Sequence, residues 1–145
     1  MWLVEGLVAG LIAGIFMGIA NEIGYRLKLL KANLVIVDGS FALSLMKRAE
    51  SIVSIYSLGI VIHLVTSAIF GIIYVVLAKF FGFDAKLILA IGIYVFVLWI
   101  AMLFVALPVA GQSVMGKKIS GLVWAEQLGL HVIFGLGFWW AQGLI

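Results

Sequence analysis

The chain has 145 residues, of which 66% are hydrophobic and 10% charged, with a formal net charge of +3 and no cysteine. Together with a mean hydropathy of +1.34, these values exclude a soluble globular domain and describe a single-domain integral membrane protein. The lack of cysteine excludes disulfides, thiolate metal sites and cysteine nucleophiles, and no basic stripe interleaved with aromatics invites nucleic acid.

A hydrocarbon core of about 30 Å needs roughly 20 apolar residues in a helix. Four stretches qualify, at about 2–20, 51–77, 87–107 and 121–144. The predicted fold is therefore all-α, a four-transmembrane-helix bundle forming one membrane domain over 1–145. The first stretch lacks a basic leader and carries Glu5, which predicts a retained span rather than a cleaved signal peptide. Within it, Gly6, Gly10, Gly14 and Gly18 recur every fourth residue. This glycine zipper predicts close approach of a second helix, from within the chain or from another subunit.

The connection that follows carries Arg26, Lys28, Lys31, Lys47 and Arg48. Its segment DGSFALSLMKRAE predicts a short interfacial helix over about 38–50, with Asp38 or Ser40 as N-cap and basic residues at the C-terminal end.

Span two contains IVIHLVTSAIF, which places His63 in a run free of Asp, Glu, Lys and Arg from Ser51 to Ala78. At 1.5 Å per residue His63 lies about 18 Å from the inner end of its span, and His131 about 15 Å from the start of span four. Both are therefore expected near the midplane. A charge there costs at least about 2.5 kcal/mol, so both imidazoles should face the bundle interior. The two segments also resemble each other. A small residue stands four positions after each histidine (Ser67, Gly135) and a phenylalanine seven after (Phe70, Phe138), as in a weakly duplicated helical hairpin.

Span three closes at Pro108, read as a terminator. The next connection holds Lys117 and Lys118, so the two longer connections carry seven of the nine basic residues. The positive-inside rule then puts those connections in the cytoplasm and both termini outside, as in a prokaryotic-type inner membrane. Trp2, Trp139 and Trp140 mark the outer interface and Trp124 the inner one.

Three readings of the histidines follow. As structural fasteners they would bond to Thr66, Ser67, Gln127 or a neighbouring carbonyl, contributing about 0.6 kcal/mol each. As axial ligands of a b-type haem, whose iron would be the chain's metal, they would rely on Gly59, Ser67 and Gly135 to leave room for the porphyrin and on Phe70, Phe134 and Phe138 to pack on it. As parts of a proton or small-solute path they would act with Tyr94, Glu126 and Gln127. No carboxylate pair shares a span, and neither a nucleophile elbow nor a phosphate loop is present, so no residue is assigned a catalytic role.

Over about 63–140 the chain carries His63, Ser67, Phe70, Tyr74 and Ala78, then PVAG from Pro108 to Gly111, then Trp124, Glu126, Gly129 or Gly135, His131, Trp139 and Trp140. This pattern resembles the YagU-type bacterial inner-membrane proteins, a family of unknown function. It departs from them in a Glu126-to-His131 spacing one residue longer and in having no further histidine in span three. The resemblance implies a four-span membrane protein with both histidines in the family pattern, and no substrate. Almost no extramembrane mass, a glycine face and no catalytic constellation lead to the expectation of an accessory or scaffolding subunit of a larger complex, in contact with the lipid bilayer and with other integral membrane subunits. The alternatives are a small bis-histidine b-haem electron-transfer protein and a small transporter or proton/solute channel.

Overall fold

The computed structural model describes residues 1–49 and 51–145, and all its regular elements are helical. In chain order they are α1 (Trp2–Arg26), α2 (Leu34–Leu45), α3 (Ile52–Phe81), α4 (Ile88–Val109) and α5 (Val123–Leu144). α1, α3 and α4 are long and apolar enough to cross a membrane. α5 has 22 residues, but Glu126, Gln127, His131 and Gln142 dilute its apolar character. Three of the four stretches read as spans thus meet that standard outright, and α2 is a shorter apolar helix.

Local chemistry sets the ends. Ser51 caps α3 by accepting from the Ser54 amide, and Gly82 closes it in the left-handed region, at φ 71°, where glycine carries no Cβ penalty. α4 widens into a π-turn over Met102–Ala106 immediately before Pro108. A proline ring clashes with the preceding turn and offers no amide, and a wider turn relieves that crowding. The helix then ends at Val109, with Gly111 at φ 77° and its amide donating to the Pro108 carbonyl.

Packing runs in the order α2, α3, α1, α5, α4. α1 lies on α3 through the glycine face. A Cβ at Gly10 would fall on the Ser67 carbonyl, one at Gly14 on the Ser67 side chain, and one at Gly6 would meet the Gly71 carbonyl at 2.7 Å. Such backbone approach lets dispersion and Cα–H···O contacts hold helices together where no hydrophobic force acts between them. Gly18 is looser, 3.4 Å from the His63 ring. The opposite side of α1 meets α5, where Gly137 would bring a Cβ within 3.3 Å of the Ala13 Cα. α4 rests on α5 around Val95 and Gly135.

The helix expected over 38–50 starts earlier and has a different role. α2 begins at Leu34, capped by Asn33, whose Oδ1 accepts from the Val35 and Ile36 amides at 3.0 and 3.3 Å. Asp38 and Ser40 lie inside the helix rather than at its cap, and Glu50 is outside the described residues. Asn33 prevails because it precedes the apolar run LVIV, whereas a cap at Asp38 would leave that run outside the helix. α2 packs on α3, since a Cβ at Gly39 would strike the Ile55 carbonyl and one at Gly59 the Val35 carbonyl.

A polar knot fixes the entry to α2. Asn21 donates to the Ala32 carbonyl (2.9 Å) and accepts from the Leu34 amide (2.8 Å). Asn33 donates to Glu22 at 2.7 Å, and Glu22 also pairs with Arg26. Glu126 on α5 accepts from the Lys31 and Ala32 amides at 2.9 and 3.1 Å. These bonds satisfy loop amides that would otherwise be costly to bury.

Candidate functional site: a cleft holding Asp38, His63 and His131

α3 and α4 meet near one end of the bundle, where the Tyr94 hydroxyl donates to the Phe70 carbonyl at 2.8 Å. Towards the other end they splay, leaving a cavity of about 410 Å³ between α2 and α3 on one side and α4 on the other, floored by α1 and α5. The wall is mostly apolar, from Leu34, Phe41, Leu98 and the π-turn residues Met102, Val105 and Ala106. Five polar side chains interrupt it: Asp38, His63, Thr66, Ser67 and His131. An apolar pocket with a few convergent polar groups is the usual form of a ligand site, and π-turns recur at such sites.

The two imidazoles are held differently. His63 Nε2 lies 3.0 Å from the Gly14 carbonyl on α1. His131 Nδ1 lies 2.8 Å from the Gln127 carbonyl, one turn back on its own helix. A carbonyl only accepts, so each of these nitrogens carries the proton. The remaining nitrogens, Nδ1 of His63 and Nε2 of His131, keep their lone pairs. Asp38 stands apart from any salt bridge among the described residues, and burial pushes its carboxyl up from the ordinary 3.8 to about 6.

Beyond His131 the bundle is closed by aromatic rings. Phe134, which lines the cavity, stacks on Phe138 at 6.2 Å, and Phe138 meets Tyr74 edge-on at 5.2 Å. Tyr74 also packs on Tyr94 at 5.2 Å and donates to the Ala85 carbonyl at 3.1 Å.

The expected site residues divide accordingly. His63, Ser67 and His131 share the cavity. Tyr94, Glu126 and Gln127 do not line it: Tyr94 is engaged with Phe70, Glu126 with the loop amides, and the Gln127 side chain is fully buried with no partner among the described residues. Gly6, Gly10, Gly14 and Gly18 all lie along α3. Asp38 and the π-turn were not singled out from the sequence as site features. A lone acid inside LVIVDGSFALSL was the available signal, masked by its reading as a cap; the π-turn has no signal beyond Pro108.

The three small residues expected to clear space for a porphyrin are each filled by a helix. Gly59 takes Val35 of α2, Ser67 takes Gly10 and Gly14 of α1, and Gly135 takes Val95 of α4 at 3.2 Å. With Nε2 of His63 also bonded to Gly14, these residues do not fit a haem held between the two imidazoles. The donor set is that of a small polar-ended guest or a proton. Compared with protein-family models, curated proteins and solved structures, the chain finds no match.

Proposed function

We propose that the protein is a four-span membrane protein that moves protons, alone or with a small solute, through the cleft. One observation carries the reading: Asp38 from α2, His63 from α3 and His131 from α5 line a single cavity. Ionisable groups at this depth are costly to keep, and they mark ion and proton pathways where they occur. The cavity follows α4 from Leu98 to Ala110, and the rings of Phe134, Phe138 and Tyr74 pack together beyond His131. In this proposal α5 is the fourth span, both termini lie outside, the basic loops lie in the cytoplasm, and the membrane is a bacterial inner membrane.

The kinship with YagU-type proteins belongs to the same proposal. The glycine row packs on α3 inside the chain, and the accessory-subunit reading stands as the alternative, supported by the small extramembrane mass and the lack of a catalytic constellation.

Proteoliposomes clamped with potassium and valinomycin and loaded with a pH-sensitive dye test the proposal. Wild-type protein should dissipate an imposed pH gradient faster than protein-free vesicles. Asp38→Asn and His131→Gln should return the rate to the protein-free value while the helical circular dichroism is retained. Wild-type vesicles as tight as protein-free ones would remove the proton path.

A further inference from the structure

A second pair of cavities lies on the other side of His63. A largely apolar groove of about 430 Å³ runs between α1 and α3, walled by Ile15, Ile19, Ile23, Ile60 and Leu64, with His63 and Gly14 at its inner limit and Tyr56 and the Glu22–Arg26 pair at its mouth. Directly beyond lies a polar cavity of about 560 Å³ lined by Tyr25, Arg26, Lys28, Leu30, Lys31 and Tyr56. The two spaces share Arg26 and Tyr56. From Gly14 to Arg26 the groove follows twelve helical steps, about 18 Å, close to half the thickness of a hydrocarbon core of about 30 Å. The apolar space therefore spans one leaflet, and the polar space sits where headgroups would be.

The charge at the mouth has a definite sign. Arg26 is paired with Glu22, the one ion pair among the described residues, so Lys28 and Lys31 are left without an acidic partner there. Glu22 is further engaged by Asn33 and lies 3.4 Å from the Tyr56 hydroxyl. Glu126 spends its carboxylate on the amides of Lys31 and Ala32. The turn that ends α1 keeps both lysines close to the groove, because the Leu29 and Leu30 amides fold back onto the Gly24 carbonyl at 2.9 and 3.1 Å. A basic pocket between helices at a membrane surface is suited to a phosphate headgroup.

We infer that this paired groove and basic cavity form a binding site for one anionic glycerophospholipid, its phosphate held by Lys28 and Lys31 and one acyl chain laid along α1 and α3 as far as His63. The site is separate from the cleft and does not depend on proton movement through it. It does rest on the chain being a membrane protein. The acyl end and the cleft have His63 as a common wall, so a bound chain would brace the helix that carries it.

Native mass spectrometry and thermal unfolding of the full chain in detergent test the inference, with phosphatidylglycerol, phosphatidylcholine of the same chains, and glycerol phosphate as probes. One phosphatidylglycerol per chain should be retained and should raise the Tm, while phosphatidylcholine and glycerol phosphate should do neither. Lys28→Gln and Lys31→Gln should each weaken retention about fivefold without moving the lipid-free Tm, since neither side chain has a hydrogen bond or ion pair among the described residues. Ile19→Trp, which fills the groove and leaves the cations in place, should also reduce retention. Equal retention of the two phospholipids, an equal effect of glycerol phosphate, or wild-type retention by both lysine variants would each overturn the site.

Discussion

At the scale of single residues, Asp38 carries the clearest pH dependence. Among the described residues it pairs with no cation, and burial pushes its carboxyl up from 3.8 to about 6, so the folded chain holds this proton more tightly than the unfolded chain does. Stability from the protonated acid is fully present below about pH 4 and is lost as pH rises through about 6. Asp38→Asn should therefore raise the Tm at pH 7.5, by up to about 3 kcal/mol in stability, and leave it nearly unchanged at pH 3. A thermal melt of both proteins at the two pH values checks this; equal differences at both would show that the acid does not titrate in that window. The histidines remain in both proteins, so their own response cancels.

At the scale of helices, the glycines separate into two kinds that look alike in the sequence. Gly10 and Gly59 are pressed against carbonyls of neighbouring helices, whereas Gly92 and Gly129 face open space. Gly10→Ala or Gly59→Ala must push backbones apart and should cost about 1–3 kcal/mol. Gly92→Ala and Gly129→Ala meet nothing and should be neutral or stabilising by up to about 1 kcal/mol; reversible unfolding in detergent distinguishes the pairs. The four-residue spacing in α1 made its contact face legible, and apolar length made α1, α3 and α4 legible. The partner of that face was not, because a row of glycines specifies closeness and not what comes close. The start of α2 was misread for a related reason: Asp38 and Asn33 are both good caps, and only the packing of Val35 on Gly59 decides between them. Glu126 and Tyr94 looked like members of a polar path because depth can be counted along a helix, while hydrogen-bond partners cannot.

At the scale of the whole molecule, the basic residues make one claim about orientation. The native chain has no cysteine, so single cysteines at Lys47 and Lys117 should react with an impermeant thiol reagent only after the membrane is permeabilised, while one at Lys86 should react from outside. The reverse pattern would invert the proposed topology. The packing order has a further consequence. α1 is made first, yet it is flanked by α3 on its glycine side and by α5, the last helix, around Ala13 and Phe16. A nascent chain released after α3 would have one flank of α1 housed and the other bare. The flanks of α1 are therefore both covered only when the 22-residue α5 is in place, and a chain cut before Val123 is expected to present the Ala13 and Phe16 side of α1 as a bare handle for proteolysis.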